Sequence, residues 1–525
     1  MIRKTGFTLL ILWLCLAAAA QTTTVEGIVM DSLSQMPLPY AAVYFGNTTT
    51  GTLSDNGGHF SISIPNDSNS VRDVIIALSD YKLQKKTVEG GKTSILTVQM
   101  QPFDLQERFD SFGMKPKWKR FYDWLYKAAK ITSDDYIPLG NPNSNKFDFG
   151  RIRTAASYNH IEGIRLRGGL ASTSRFHPHL FLRGYAAYGF SDQRLKYRGE
   201  AVWAFNKPKY HEDEFPANNL RLIHEYDIYS LGEIHPHSQN DQLLYSFRHA
   251  KGSLAYRRFT EINYEKESYS GFSYIIWLNM RELNPTGQLS FVYNGSGGTT
   301  DYLKTAETGF RLRYSPKEAF RQNRRKKTLL TTESPVFQFS YSLGLSILGG
   351  EYPYHRTEFS AQKQFLMGAF GRIEATAEMQ HLWSKAPFPL LLYPNANPSY
   401  LIENESFSLL SAMEFINDSQ YAVKATYTAN NLLLAQIPYL DMLHEVFSIR
   451  GIYGRLSDKN NPALSAGLFE LPPNSRLMDR GSPYWEGGVG IANIAGMLRI
   501  DYVFRLSYRN TEGSPNNGIR VGFTL

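Results

Sequence analysis

Between Leu498 and Arg509 the chain alternates. Leu498, Ile500, Tyr502, Phe504, Leu506 and Tyr508 fall on one side, and Arg499, Asp501, Val503, Arg505, Ser507 and Arg509 on the other. A period of two sustained over about 11 residues predicts a tilted strand long enough to cross a bilayer, with an apolar and a charged face. The final segment repeats the pattern, setting Ile519, Val521, Phe523 and Leu525 against Arg520, Gly522 and Thr524. A chain that ends on such a strand is expected to close a barrel with it, because closure removes the unpaired edge. The alternation recurs from residue 147 onward. Leu195, Tyr197, Ala201, Trp203 and Phe205 oppose Arg194, Lys196, Arg198 and Glu200, and Ile373, Ala375, Ala377 and Met379 oppose Arg372, Glu374, Thr376, Glu378 and Gln380. Tyr421, Val423, Ala425 and Tyr427 likewise oppose Ala422, Lys424, Thr426 and Thr428. These runs exceed the usual five or six residues of soluble strands, so the charged face is expected to line a lumen. Counting them predicts an antiparallel transmembrane β-barrel of about 16 strands over residues 147–525.

Residues 21–103 read differently. Short apolar runs at Val25–Val29, Ala41–Phe45, Phe60–Ile64, Val74–Leu78 and Ile95–Met100 are separated by Gly, Asn, Asp and Pro clusters, the pattern of a small β-sandwich. Residues 104–146 join the two parts. Within them Trp118, Phe121, Tyr122 and Leu125 have helical spacing and are flanked by Lys115, Lys117, Lys119, Arg120, Lys127 and Lys130. The spacing predicts an amphipathic helix that lies on an anionic membrane surface, occupies the barrel mouth or packs on the sandwich. Met1–Gln21 has the form of a secretory signal peptide cleaved near residue 20: Arg3 and Lys4 precede the apolar run Phe7–Leu16, followed by Ala18-Ala19-Ala20.

Composition narrows the class. Hydrophobic residues make up 42% of the chain and no later run of about 20 apolar residues occurs, which excludes a helical membrane bundle. The 33 Tyr and 32 Phe suit strands and membrane-interface girdles. Cys15 is the only cysteine and lies in the expected leader, so no disulfide or thiolate metal site is expected in the mature protein. The net charge of +8 is spread along the sequence and does not imply nucleic acid.

Several motifs go further. Val25-x-Gly27-x-Val29-x-Asp31, Pro37-Leu38-Pro39-x-Ala41-x-Val43 and Gly51-Thr52-x-Ser54-Asp55-x-Gly57-x-x-Phe60 resemble the carboxypeptidase-regulatory-like domain. The resemblance implies a seven-stranded, transthyretin-like sandwich that binds or spaces and has no peptidase activity. Tyr158-Asn159-x-Ile161-Glu162-Gly163-x-Arg165-Leu166, Phe407–Phe415 with Glu414, Gln436-Ile437-Pro438, and Pro483-Tyr484-x-Glu486-x-x-Val489-Gly490-Ile491-x-Asn493-Ile494 with Leu498-Arg499-x-Asp501-Tyr502 are similar to an uncharacterised Gram-negative outer-membrane family. That family pairs such a domain with a barrel distantly similar to the BamA/TamA assembly superfamily. The resemblance implies an all-β chain in the outer membrane with its first domain in the periplasm.

Candidate chemistry is sparse. His211-Glu212-Asp213-Glu214 has His-x-x-Glu spacing, yet catalytic zinc needs a third ligand and a shaped acid–base pocket, and no such scaffold is evident. His177-Pro-His179 and His235-Pro-His237 would chelate a divalent metal only if their loops met. No nucleophile elbow, His-Glu-x-x-His or phosphate-binding Gly-rich loop is present, so no catalytic residue, metal or cofactor is expected. The basic run Arg321, Arg324, Arg325, Lys326 and Lys327 reads as a loop at the membrane surface, with lipid phosphates and not nucleic acid as partners. Asn516, Gly518, Val521, Phe523 and Leu525 follow the pattern of an outer-membrane assembly signal, which makes the barrel assembly machinery an expected partner.

The sequence therefore predicts a non-enzymatic component of transport, translocation or envelope assembly, acting on a cargo or ligand it does not identify. The alternative is an adhesion or ligand-binding protein anchored by its barrel. A TonB-dependent receptor fits less well, because 104–146 is too short for a plug domain and 147–525 too short for about 22 strands.

Overall fold

The computed structural model describes residues 22–101, 135–232 and 252–523, apart from 430–442 and shorter turn segments within those ranges. The leader, the predicted linker helix and the second His-Pro-His lie outside the described residues. Two compact units divide near Tyr126.

The first unit contains β1 (Thr23–Asp31), β2 (Ala42–Phe45), β3 (Gly51–Leu53), β4 (His59–Ile64), β5 (Val71–Ala77), β6 (Gln84–Glu89) and β7 (Thr93–Met100). They form two sheets, β4-β1-β7 and β3-β2-β5-β6, with β1 and β7 parallel. Alternate residues of both sheets, among them Val25, Val29, Val43, Phe45, Phe60, Val74, Ile76 and Val98, make one buried core. The motif residues have local causes. A Cβ at Gly27 would lie 2.0 Å from the Leu96 carbonyl oxygen, so only glycine lets β1 and β7 approach. The Ser54 hydroxyl donates to the Leu38 carbonyl at 2.7 Å and accepts the Ala41 N–H at 2.9 Å, while the Asp55 carboxylate accepts the N–H groups of Gly57 and His59.

The second unit is built on one antiparallel sheet. Its strands are β8 (Tyr136–Pro138), β9 (Phe147–Gly150), β10 (Ala156–Asn159), β11 (Gly163–Ser172), β12 (Leu180–Gly189), β13 (Leu195–Ala204), β14 (Asn218–Ser230), β15 (Leu254–Glu267) and β16 (Phe272–Pro285). After the small hairpin β17 (Phe291–Val292) and β18 (Thr299–Thr300) come β19 (Leu303–Tyr314), the basic hairpin β20 (Ala319–Gln322) and β21 (Lys327–Thr331), β22 (Val336–Leu345) and β23 (His355–Leu366). The series ends with β24 (Arg372–Leu382), β25 (Ser419–Thr428), β26 (His444–Arg455), β27 (Tyr484–Ile494), β28 (Leu498–Arg505) and β29 (Asn517–Phe523).

The sheet runs from β10 to β16, through β19 and β22 to β29, and on to β8 and β9; β9 also pairs with β11, which returns the order to its start. It has 18 segments. Because β9 and β10 both pair with β11, they are one crossing interrupted at Ile152–Thr154, and among the described residues they and the fifteen longer strands make sixteen crossings, where about 16 were expected. Asp135 secures the interruption: its carbonyl accepts the Ile152 N–H at 3.0 Å and its carboxylate the Arg153 N–H at 3.1 Å. The sheet also takes in Tyr136–Pro138, ahead of residue 147.

Burial is inverted relative to a soluble sandwich. Leu222, Ile262, Ile276 and Val489 are 52, 45, 50 and 45% exposed, while Arg165, Lys196, Glu486 and Arg505 are at most 2% exposed. An apolar outer wall around a charged interior is the arrangement that hydrocarbon outside and polar groups inside demand. One end of the barrel carries the short turn 268–271 and the intervals 205–217 and 315–335, and also the start of β9 and the end of β29. The other carries the long intervals 286–302, 383–418 and 456–483. We call these the turn end and the loop end.

Candidate functional site

The lumen is occupied, and what occupies it is the segment 396–418 between β24 and β25. Five consecutive strands contribute inward side chains that hold it. Lys424 of β25 donates to the Glu405 carbonyl at 2.5 Å and to the Glu378 carboxylate at 2.8 and 2.9 Å. Arg450 of β26 donates to the Ser408 hydroxyl at 2.7 Å and lies 3.2 Å from Glu486 of β27. Glu486 accepts the N–H groups of Ser408 at 2.7 Å and Leu409 at 3.1 Å. Arg505 of β28 makes two parallel 2.8 Å bonds to Glu414 and a third, 2.6 Å, to the Leu409 carbonyl. Arg520 of β29 donates to the Ser408 carbonyl.

These charges are dry: Arg505 and Glu414 side chains are 0 and 2% exposed. A buried carboxylate persists only when paired, and the bidentate geometry gives Glu414 its pair. Tyr484 completes the group by donating to Glu486 at 2.9 Å. Around it Phe407, Leu410, Phe415, Ala422, Ile452 and Tyr484 form an apolar cluster. Gly490, on the inward face of β27, leaves room for the neighbouring charge, since a Cβ there would lie 2.1 Å from the Asp501 carboxylate.

At the loop end lies a second apolar cluster. Phe388, Leu390, Leu391, Met413 and Ile416 from 383–418 pack with Phe291 and Phe469 from the neighbouring loops and with the inward strand-end residues Ala255, Leu283, Leu303 and Leu382. The Phe291 and Phe469 rings stack at 5.1 Å. On the β11–β15 side the lumen is filled by ion pairs. Arg165 binds Asp227 through two bonds of 2.6 and 2.8 Å, and fully buried Lys196 reaches Glu162 at 2.7 Å and Asp192 at 2.5 Å. Asp192 lies in the turn after β12. Burial alone would raise its carboxyl pKa, but hydrogen bonds from Lys196, Tyr256 and the Arg194 N–H outweigh it and hold the group below the ordinary carboxylate range. Gln338, Ser360, Glu374 and Thr376 of β22–β24 keep partial exposure on the inner wall, a polar surface in contact with water.

The seam is the second feature. Between β29 and β9 stands only the three-residue β8, and the edge of β29 is held from inside. The Val521 N–H donates to the Tyr400 carbonyl at 2.8 Å, and the Ile402 N–H donates to the Val521 carbonyl at 2.9 Å. The occupying segment thus bonds the last strand through both backbone and side chains.

The described members of the assembly-signal set gather here. Gly518 and Val521 lie on β29, with Gly518 beside Leu409 and Val521 at the bonded edge; the Phe523 backbone pairs with Leu498. Asn516 precedes the strand and its carbonyl accepts the Arg505 N–H at 2.8 Å. Leu525 lies outside the described residues. The His211 loop is organised otherwise than a metal site: His211 Nδ1 accepts the Asp213 N–H, and Glu214 accepts backbone N–H groups of Lys209, Tyr210 and His211. His177 and His179 pack against Trp203. Among the described residues no group of three His, Cys, Asp or Glu side chains is placed to hold a metal.

Two expected positions are corrected, Tyr508, whose ring packs on Phe415, and Arg194. Arg194, assigned to the lumen with Lys196 and Arg198, lies in a turn, donates to the Tyr226 hydroxyl at 3.3 Å and stands 4.5 Å above the Tyr256 ring on the outer side. Arg505 was expected on the lumen face and Glu414 and Glu486 were noted as motif residues, but that these three side chains hold an inner segment was not read from the sequence. Their signal was a glutamate inside the apolar run Phe407–Ile416, a carboxylate that must find a cation when that run is buried.

Residues 139–459 match the model described as Family of unknown function (DUF5686) C-terminal domain. The chain belongs to this DUF5686 family. A second model, the CarboxypepD_reg-like domain, matches residues 25–108, so the pairing of modules expected from the sequence is present in this DUF5686 member. No curated protein matches the chain. Among solved structures it is similar to the crystal structure of BamA from Haemophilus ducreyi lacking POTRA domains 1-3, at 10% identity and a TM-score of 0.44, with 73% of this chain and 71% of that chain covered.

Proposed function

We propose that this outer-membrane barrel is a non-enzymatic transport, translocation or assembly component whose lumen is gated by the segment 396–418. The observation that carries this reading is the way the segment is held. A barrel that served only as an anchor needs to be filled, and well-packed apolar side chains fill a core at least as stably as buried ion pairs do. Here the filling is fastened by Lys424, Arg450, Arg505 and Arg520 and also bonded to the seam-side edge of β29. The polar contacts among these exchange for water when the segment leaves, and the polar wall of β22–β24 would then form an aqueous path.

In this reading the loop end, which carries the longest intervals, faces outward and the turn end faces the periplasm, since external loops are usually the longer ones, and the first domain is periplasmic. The partners are outer-membrane lipid, the barrel assembly machinery and a cargo that crosses or enters the membrane. The test is site-specific photocrosslinking in intact cells from lumen positions Gln338, Ser340 and Gln362. Adducts with another macromolecule that change with the state of the 396–418 segment support transport or assembly. Adducts confined to the protein's own inner segment favour the anchor.

A further inference from the structure

We infer that the outer wall of β13–β16 and β19, at the loop end, is a binding surface for a bisphosphorylated glycolipid of the outer leaflet. The registers place Tyr197, Tyr226, Arg258, Glu282 and Lys304 directly opposite one another on five neighbouring strands, in one straight row. The row faces out, because it shares parity with the exposed Leu222, Ile262 and Ile276 on the same strands. Its cations are available. The Arg258 and Lys304 side chains are 58 and 43% exposed, and each reaches the shared Glu282 only at 3.8 and 4.0 Å. One carboxylate against two cations leaves a positive charge, and Arg194 adds another beside Tyr226. Lys304 also lies 4.6 Å above the exposed Tyr302 ring.

Charges on the outer wall fix the depth of the membrane. At the midplane an outward Arg or Lys costs about 2–4 kcal/mol, so this row stands at or beyond the hydrocarbon boundary. Toward the turn end, β16 presents Met280, Leu278, Ile276, Tyr274 and Phe272 in succession on the same face. That span is about 30 Å along the strand and somewhat over 20 Å when tilted, close to the apolar band of roughly 25 Å that a barrel needs. The cations therefore sit where lipid phosphates sit.

The spacing selects among lipids. Arg258 and Lys304 are two strands apart, about 10 Å at the usual inter-strand distance. Two separated cationic positions, with Arg194 flanking, suit one rigid headgroup carrying two phosphates, whereas a phospholipid offers a single phosphate to one of them. The surface is local: the outward residues near the loop end of β24–β28 are His381, Tyr421, Tyr453, Trp485 and Phe504, with Arg455 the single cation among these described strand positions. Assignment to the outer leaflet rests on the orientation proposed above, which protease cleavage of 456–483 on intact cells reports separately.

The experiment is native mass spectrometry of the full-length protein in uncharged detergent, titrated in turn with the acylated bisphosphorylated glucosamine disaccharide, its monophosphorylated form and phosphatidylglycerol. The bisphosphorylated lipid is expected to bind tightest. Arg258→Gln/Lys304→Gln is expected to weaken it roughly ten- to thirty-fold, while Lys363→Gln, an outward cation near the turn end, leaves it unchanged. Unheated gel mobility checks that every variant remains a folded barrel. Equal affinity for phosphatidylglycerol overturns the glycolipid assignment, and undiminished binding in the double variant overturns the site.

Discussion

Ile402 donates its backbone N–H to the carbonyl of Val521, so a residue of an inner segment, 119 positions away in the chain, bonds the edge of the last strand. Unpaired strand edges are templates for further pairing, and this bond removes part of that template from within. Ile402→Pro deletes the donor, while Ile402→Ala keeps it. Amide exchange in 517–523 is expected to quicken in the proline variant and to stay near wild type in the alanine variant. Equal protection in both would show that the edge does not depend on this segment.

The Arg505–Glu414 pair is the strongest of the fastenings. Removing one partner leaves the other charge buried, so Arg505→Ala and Glu414→Ala are each expected to destabilise the barrel by about 3–5 kcal/mol. Arg505→Met/Glu414→Leu should recover most of that loss. The temperature at which the unheated gel band disappears measures all three.

Acid should loosen the loop end. The Asp192 carboxyl lies below its ordinary range in the folded protein, so the stabilisation it contributes is complete above the unfolded-state value of about 3.9 and is lost as pH falls through the lower folded-state value. Asp192→Asn is expected to lower thermal stability at neutral pH and to flatten its decline below about pH 4. A wild-type and variant difference that does not change with pH would contradict the assignment.

Deleting Gly518–Leu525 removes β29, the bonded edge and most of the assembly-signal residues. The truncated protein is expected to aggregate or be degraded without inserting, whereas deletion of Thr22–Met100 should leave a barrel that still migrates faster unheated than boiled. Normal insertion of the C-terminal truncation would argue against both closure and signal.

The barrel wall was legible because its physics is local. In Leu498–Phe504 the alternation alone states which side chains meet lipid, and Arg499, Asp501 and Arg505 do point inward. The pattern fails where the strand fails. Beyond Arg505 the chain bends, Tyr508 adopts φ 51°, and its ring packs on Phe415 instead of facing out. Arg194 was misplaced for the same reason, since alternation assigns no side to a residue in a turn. The inner segment was legible only as the motif Phe407–Phe415 with Glu414, and not as a filling of the lumen. Its apolar run resembles a short strand, and the partners that define it, Glu414 with Arg505 and Ile402 with Val521, meet only in the folded barrel.

Planar-bilayer conductance of the purified full-length protein tests the gated-lumen account most directly. Wild type is expected to be closed, with brief openings at most, and both Glu414→Ala and a variant lacking 399–411 are expected to pass large, sustained currents. A wild-type barrel that conducts steadily, or variants as closed as wild type in folded form, would contradict the claim that the 396–418 segment gates the lumen.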